Sequence, residues 1–256
     1  MVNLFDDAVM ATGYASARPP VHTPVMDRVA AAQGWTSPIG VVLDVGCGAG
    51  LSTGAALPWS RGAIGVDPAA EMVAVARITA PSAAFLVGPG ERLPIGAGTI
   101  DAIIAAGSLN FMDLDRFADE AARVLRPNGV VVAYDFSTGC RCATAPNLGA
   151  VYADFATRWT RPTANRNAID PEVLRVGPFE VGATASFVVT IDMSLDQYIG
   201  YLMTETNIAA AVARGEAASG IRNWCAAKFA PTFTRALPVE FDAWFVVMRP
   251  LSVARS

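Results

Sequence analysis

The sequence predicts an α/β protein built on a parallel β-sheet. Short, continuous apolar runs recur between residues 40 and 136, and segments with apolar residues at helical spacing separate them. Strands that are buried on both faces of a parallel sheet have such continuous apolar runs, and their alternation with helices indicates βαβ units. A glycine-rich turn directly after the first run is the third observation, and it is typical of the junction between a strand and a helix.

The elements follow one another in a regular order. A helical pattern with Val25, Val29 and Ala32 on one face ends at Gly34. The sequence then predicts five strands at 41–45, 64–67, 83–87, 100–106 and 129–135. Helices are expected at 69–80 and 114–125, and a turn at 126–129.

The pattern is looser after residue 136, and residues 137–180 do not favour one structure. Further on, helices are expected at 195–213 and 220–229, and strands at 186–192 and 241–248. The prediction is therefore a parallel α/β core followed by a helical insertion and two more strands.

Composition excludes several classes of protein. The chain has 256 residues, of which 53% are apolar and 16% charged, so it can form a large core and is not disordered. With 19 basic and 23 acidic residues and no basic stripe, it does not resemble a nucleic-acid-binding protein. No apolar run approaches the ~20 residues of a membrane span, and no basic signal-peptide region is visible. We therefore expect a cytoplasmic protein with reduced cysteines, and we expect no metal site, because the Cys140-x-Cys142 spacing does not suit zinc.

The glycine-rich turn and the acid that follows it indicate a ligand. Gly46, Gly48 and Gly50 follow the first strand, and Asp67 ends the second. A carboxylate at that position can accept hydrogen bonds from both hydroxyls of a ribose, so the pair predicts an adenosine-containing cofactor. The spacing is G-x-G-x-G, whereas the dinucleotide-binding fingerprint is G-x-G-x-x-G.

Five ordered motifs resemble one family. They lie at 43–50, 65–72, 88–95, 100–113 and 123–129, and together they are similar to the class I S-adenosylmethionine-dependent methyltransferases of the small-molecule type. The resemblance implies a Rossmann-like sheet of seven strands, mostly parallel with the last strand antiparallel, flanked by helices and carrying a helical cap or insertion. It also implies one methyltransferase domain over 1–256, with an entry or lid segment (1–35), a cofactor-binding core (36–136), substrate-cap insertions with a strand (137–240), and a last strand and tail (241–256).

The resemblance implies S-adenosylmethionine as cofactor and S-adenosylhomocysteine as product. Asp67 would hold the ribose hydroxyls, Asp44 would order the glycine loop or reach the cofactor's amino group, and Pro68 with Met72 would flank the adenine. Pro89 stands where family members often have an acid for the adenine amino group. The residues expected at the cofactor are Tyr14, Asp44, Gly46, Cys47, Gly48, Gly50, Asp67, Pro68, Met72, Gly90, Glu91, Gly107 and Ser108.

Three residues are candidates for catalysis, and each has a structural alternative. Asn110 stands where relatives often have His; it can hydrogen bond but cannot take a proton, and it could instead cap the strand end. His22, the only histidine, is either a general base or a residue at a helix start. Tyr14 either closes over the carboxylate end of the cofactor or packs at the surface.

The expected activity is methyl transfer to O, N or C of a small, largely apolar or aromatic molecule. Residues expected at that acceptor are Phe111, Phe136, Trp159, Tyr198 and Met203. The alternatives are a non-catalytic or repurposed S-adenosylmethionine-binding protein and an NAD(P)-dependent oxidoreductase, which the glycine spacing disfavours. We expect a small-molecule acceptor and neither a nucleic acid nor a membrane as partner. Both a monomer and a homodimer remain open.

Overall fold

The computed structural model describes residues 6–162, 169–172, 174 and 176–251. The first five residues of the predicted entry segment and the last five of the predicted tail lie outside these ranges. The helices are α1 (Ala8–Ala17), α2 (His22–Gln33), α3 (Leu51–Ala56), α4 (Ala70–Thr79), α5 (Leu114–Val124), α6 (Leu148–Arg158), α7 (Leu195–Leu202), α8 (Thr206–Ala213) and α9 (Ala218–Phe229). The strands are β1 (Ile39–Val45), β2 (Ser60–Asp67), β3 (Ala84–Val87), β4 (Ile100–Ala106), β5 (Leu125–Phe136), β6 (Phe179–Met193) and β7 (Leu237–Pro250).

The strands form one seven-stranded sheet in the order β3-β2-β1-β4-β5-β7-β6. Strands β1 to β5 pair in parallel, and β7 is antiparallel to both of its neighbours, β5 and β6. The predicted Rossmann-like α/β fold, with seven mostly parallel strands, an antiparallel last strand and flanking helices, is therefore confirmed.

The register of the central strands brings three loops together. Asp44 near the end of β1 pairs with Gly65 of β2 on one side and with Ile104 of β4 on the other. Because these parallel strands end at nearly the same level, the segments that follow them meet at one edge of the sheet. This is the edge at which ligands bind in open α/β sheets.

Both faces of the central strands β1, β4 and β5 are largely buried, as the continuous apolar runs predict, whereas the edge strands β3 and β6 are mostly exposed. Along β1, Val42 packs into a core that includes residues of α2 and α6 to α9, whereas Leu43 packs into a second core with α5. Successive side chains of a strand point to opposite faces, so every residue of such a strand meets a core.

Four local predictions need correction. Helix α1 was not predicted; Asp7 caps it by accepting a hydrogen bond from the Met10 amide. The helix expected at 195–213 is two helices, because Glu205 has an extended backbone between α7 and α8. Residues 126–129, which were expected to form a turn, are part of β5, and the pairing between β5 and β4 shifts its register there. The strands expected at 186–192 and 241–248 are longer, because β6 and β7 pair from Phe179 to Met193.

Among the described residues, no helix is both long and apolar enough to cross a membrane.

Candidate active site

A cavity of about 320 Å³ opens at the carboxyl ends of β1, β2 and β4. We call it the first cavity. Its wall consists of Tyr14, Gly46, Gly48, Asp67, Pro68, Met72, Pro89, Gly90, Glu91, Ala106, Gly107, Ser108, Phe111 and Met112. Ten of the thirteen residues expected at the cofactor belong to this wall, and three do not.

The glycine loop forms the floor of the first cavity. Gly46 has a φ of +73°, and its amide donates a hydrogen bond to the Val66 carbonyl (2.8 Å). A Cβ at Gly46 would collide with the Cβ of Ser108, so the close approach of loop and strand end requires glycine. Gly48 has a φ of +51°, and a Cβ there would meet no atom within 4 Å. The loop therefore leaves space in which a ligand can approach the backbone.

Asp67 places a carboxylate at the edge of this loop. Its Oδ2 accepts a hydrogen bond from the Gly48 amide (2.9 Å), and its Oδ1 accepts one from the Ala69 amide (2.8 Å). Burial raises the pKa of Asp67, and the two backbone hydrogen bonds oppose that rise. Each carboxylate oxygen can accept more than one hydrogen bond, so both retain capacity for a ligand hydroxyl.

Asp44 lies behind the loop rather than in the cavity wall. It is fully buried, and its Oδ2 accepts hydrogen bonds from the hydroxyls of Ser52 and Thr53, both at 2.6 Å. Its Oδ1 has no hydrogen-bond partner within the described part of the chain. Burial raises the pKa of Asp44 to about 6, although the two hydroxyls act against that rise. The contacts match the first of its two expected roles, which is to order the loop.

Cys47 and Gly50 also lie outside the wall. The Cys47 side chain packs in a small apolar cluster with Val73 and Phe85, behind the loop. Gly50 has a φ of +85° at the start of α3, where a Cβ would press on Ala76 of α4. Both residues shape the loop from behind, and their expected contact with a cofactor is not supported by this placement.

The far side of the first cavity contains residues of the third and fourth motifs. Pro89, Gly90 and Glu91 line it, and Oε1 of Glu91 accepts a hydrogen bond from the Asp113 amide (2.9 Å). Met112 also lines it, although the sequence did not single it out. A signal was available, because Met112 belongs to the motif at 100–113 and lies in the segment that follows the end of β4.

A second cavity, of about 220 Å³, adjoins the first. The two share Tyr14, Ala106, Gly107 and Phe111. The remaining wall residues of the second cavity are mostly polar: Arg18, His22, Asn110, Asp135, Phe136, Ser137, Thr138, Arg161, Tyr201, Glu205 and Thr206. This polar wall does not match the expected apolar or aromatic acceptor.

A group of ion pairs centred on the buried Glu205 lies in the wall of the second cavity. Glu205 contacts Nη1 of Arg18 at 3.2 Å and Nη2 of Arg161 at 2.7 Å. The guanidinium of Arg18 also lies over the Tyr14 ring, 4.4 Å from its centre. The sequence did not predict this group. Arg18 stands in the predicted entry segment, but Arg161 and Glu205 belong to no motif, and the three residues meet only through the tertiary fold.

The candidate catalytic residues His22 and Asn110 both line the second cavity. Nδ1 of His22 lies 2.9 Å from the Tyr134 hydroxyl, and its ring packs edge-on against Phe136. Burial, helped by the positive charge of Arg18, lowers the pKa of His22 to about 4, so the ring is neutral at pH 7. The Asn110 Oδ1 is buried, and no described group hydrogen bonds to it.

Of the five residues expected at the acceptor, the structure brings two to the cavities. Phe111 lines both cavities and Phe136 lines the second. Trp159, Tyr198 and Met203 pack in the core instead and belong to neither wall. The Tyr198 hydroxyl donates to the Gly139 carbonyl (2.7 Å), and the Trp159 indole donates to Glu216 (2.9 Å), so their polar groups are satisfied away from the cavities.

Comparison with known proteins agrees with the fold. Residues 43–133 match the family model described as a methyltransferase domain. An uncharacterized methyltransferase from Mycobacterium tuberculosis is 36% identical over 88 residues, which cover 34% of this chain and 36% of that protein. A demethylmenaquinone methyltransferase from Beutenbergia cavernae is 30% identical over 152 residues, covering 56% of this chain and 62% of the relative. The chain thus spans only about a third of the mycobacterial relative's length.

Similarity in structure extends over most of the chain. A putative type II methyltransferase from Anaeromyxobacter dehalogenans superposes with a TM-score of 0.70 at 24% identity, covering 88% of this chain and 96% of the other. Residues 43–133 are therefore a methyltransferase domain by sequence, and the sheet order and the fold agree with that match.

Proposed function

We propose that the chain binds S-adenosylmethionine in the first cavity and transfers its methyl group to O, N or C of a small molecule in the second. The observation that carries the proposal is the junction of the two cavities, which share Tyr14, Ala106, Gly107 and Phe111. A methyl donor and its acceptor must lie in contact, so adjoining cavities with a common wall suit the reaction.

The wall of the first cavity fits the proposed cofactor. Asp67 has two oxygens with remaining acceptor capacity for the ribose hydroxyls. The open space at Gly48 suits the methionine part, and Pro68 and Met72 offer apolar surface for the adenine. When bound, the cofactor supplies a sulfonium methyl group that a nucleophile displaces.

The chain contributes mainly position and exclusion of water. Tyr14 and Phe111 border both cavities, where their rings separate the transferring methyl group from solvent. Aromatic faces also stabilise a positive charge nearby. Asn110 can orient a nucleophile through a hydrogen bond, and it does not remove a proton.

Residues from three predicted segments line the second cavity. Arg18 belongs to the segment 1–35, Asn110 to 36–136 and Glu205 to 137–240. Their contribution to one cavity supports our proposal that the chain acts as a single domain. A small-molecule acceptor is supported by two relatives that are named as quinone-pathway enzymes, the demethylmenaquinone methyltransferase above and a ubiquinone biosynthesis O-methyltransferase from Azorhizobium caulinodans (29% identical, 47% of its length covered).

The test is calorimetric titration of the purified chain with S-adenosylhomocysteine, and with NADH as control. We expect micromolar binding of the first and none of the second. Binding of NADH alone would overturn the cofactor proposal in favour of an oxidoreductase. Binding of neither would also count against it.

A non-catalytic cofactor-binding protein is the second candidate, and Asn110 favours it, because an amide stands where relatives often have a residue that takes a proton. Supplying the chain with deuterated S-adenosylmethionine and a small-molecule extract separates the two. A product heavier by one deuterated methyl group supports transfer, whereas tight cofactor binding without any product supports the second candidate.

A further inference from the structure

Two buried polar atoms without a hydrogen-bond partner among the described residues belong to residues that line the second cavity. They are Nε of Arg18 and Oδ1 of Asn110. One is a donor and the other an acceptor, and both residues line the same cavity. An unsatisfied buried polar atom is costly, so a ligand that supplies both missing partners gains the corresponding free energy.

Both terminal nitrogens of Arg18 already have a partner. Its Nη1 pairs with Glu205 (3.2 Å), and its Nη2 donates to the Thr204 carbonyl (3.2 Å). Stacking on Tyr14 holds the plane of the guanidinium, and the side chain is only 13% exposed. Because these contacts hold the guanidinium in one orientation, the Nε–H of Arg18 has a fixed position.

The charges of the second cavity balance. Arg18 and Arg161 are its cations, and Asp135 and Glu205 are its anions within the described wall. His22 adds no charge at neutral pH, because burial lowers its pKa to about 4. A wall of this kind does not require a charged ligand, since neither sign of charge is in excess.

We propose that the acceptor is a neutral small molecule with two features: an oxygen that accepts a hydrogen bond from Arg18 Nε–H, and a nucleophilic O–H or N–H that donates to Asn110 Oδ1. This inference rests on the proposed function and narrows it to methylation at oxygen or nitrogen. A carbon nucleophile offers no comparable donor to Asn110, so C-methylation is disfavoured.

The transfer balances with these groups. A lone pair of the acceptor's oxygen or nitrogen forms the new bond to the methyl carbon, and the carbon–sulfur bond breaks with its electron pair left on sulfur. The proton of the attacking O–H or N–H, which Asn110 Oδ1 accepts only as a hydrogen bond, passes to the carboxylate of Asp135 in the same wall and is released to solvent when the products leave. Asn110 keeps its amide throughout and acts by holding the nucleophile in line.

The test measures binding of matched probes to the chain saturated with S-adenosylhomocysteine, by ligand-observed NMR. The probes are the three hydroxybenzamides, which carry both features, their methyl ethers, which lack the O–H, and phenol, which lacks the carbonyl oxygen. We expect at least one hydroxybenzamide to bind, and to bind about tenfold more tightly than its methyl ether and than phenol.

Two variants assign the contacts. Arg18→Lys keeps the charge beside Glu205 but removes the Nε–H, and we expect the bound hydroxybenzamide to be held about tenfold more weakly. Asn110→Leu removes the amide oxygen at similar volume and should weaken binding about fivefold. Arg222→Lys is the matched control, because Arg222 is half exposed, pairs with Asp196, and like Asp196 lines neither cavity; binding should not change. Thermal melting of each variant identifies any that fails to fold, and the two variants report independently.

Three results would overturn the inference: methyl ethers that bind as well as the hydroxybenzamides, hydroxybenzamide binding that survives Arg18→Lys and Asn110→Leu, or no binding of any probe. In each of these cases the chain has already bound S-adenosylhomocysteine, so the cofactor proposal stands and only the acceptor class fails. Failure to reach saturation with S-adenosylhomocysteine counts against the proposed function itself.

Discussion

The guanidinium of Arg18 meets the carboxylate of Glu205 at 3.2 Å, although Arg18 follows the first helix and Glu205 lies between α7 and α8. The pair joins two segments that are distant in sequence. Because Glu205 also binds Arg161 at 2.7 Å, one carboxylate holds two cations in the wall of the second cavity. The integrity of that wall therefore depends on a single buried acid.

Replacing this acid should destabilise the fold. Glu205→Gln leaves the buried Arg18 without its counter-charge, and we expect the free energy of unfolding to fall by about 3 kcal/mol. Urea denaturation measures it. Asp196→Asn is the control: it removes an exposed pair with Arg222, and we expect a change below about 1 kcal/mol. Equal effects of the two substitutions would show that the buried pair contributes no more than a surface one.

Asp67 should be required for cofactor affinity. Asp67→Ala removes the acceptor oxygens proposed for the ribose hydroxyls, so binding of S-adenosylhomocysteine should weaken by roughly 1.5–3 kcal/mol, as for other hydrogen bonds to charged groups. Calorimetric titration measures the change. Asp119→Ala, on the exposed surface of α5, serves as control. An unchanged affinity for Asp67→Ala would show the ribose assignment to be wrong.

The glycine loop should not tolerate a side chain at Gly46. Gly46→Ala requires a φ of +73° from a residue with a Cβ, and that Cβ meets Ser108. We expect loss of S-adenosylhomocysteine binding together with a lowered melting temperature. Gly220→Ala is the matched control, because Gly220 lies in α9 with open space around it; this substitution should stabilise the chain by about 0.5–1 kcal/mol. Retained binding by Gly46→Ala would show that the loop can rearrange.

His22 and Asp44 should affect acid stability in opposite directions. Between about pH 4 and 6.5 the unfolded chain protonates His22 while the folded chain does not, because the pKa of His22 falls from 6.5 to about 4 on folding. The contribution of His22 to the free energy of unfolding therefore decreases as the pH falls. The pKa of Asp44 rises from 3.8 to about 6, so the folded chain binds the extra proton and gains stability as the pH falls. Each contribution amounts to about 3 kcal/mol.

Single substitutions separate the two contributions. In His22→Gln, urea denaturation should show stability rising as the pH falls from 6 to 4, since Asp44 remains. In Asp44→Asn, stability should fall over the range from 6.5 to 4, since His22 remains. In the unmodified chain the two contributions oppose each other, so its dependence should be weaker than that of His22→Gln. A steep slope in the unmodified chain that neither substitution alters would mean that other groups control acid stability.

The sheet and the first cavity could be predicted because their signals are local in sequence. Each buried strand is a continuous apolar run, and Asp67 is recognisable because it ends a strand shortly after a glycine loop. Gly46 and Gly48 adjoin the end of β1, so their place at the sheet edge follows from the strand that precedes them. Nothing distant in sequence is needed to place them.

The second cavity could not be predicted in this way. Arg18 and Glu205 meet only because α1 and the α7–α8 junction pack onto the same strand ends, and no pattern in the sequence encodes that packing. Aromatic residues were misleading for a related reason: the sequence around a Tyr does not show whether its side chain packs in the core or lines a cavity. Tyr198 was expected at the acceptor, yet it packs between Phe229 and Phe233.

The four cysteines should differ in reactivity because they differ in burial. Cys47, Cys142 and Cys225 are at most 5% exposed, whereas Cys140 is partly exposed in the loop after β5. Burial raises the pKa of Cys47 strongly and that of Cys225 to about 11, which keeps both as unreactive thiols at neutral pH. Iodoacetamide should therefore alkylate one thiol of the native chain, and all four in urea, as counted by intact mass. Peptide mapping should find the native label on Cys140, and a label on Cys47 would instead require the glycine loop to open away from β3 and α4.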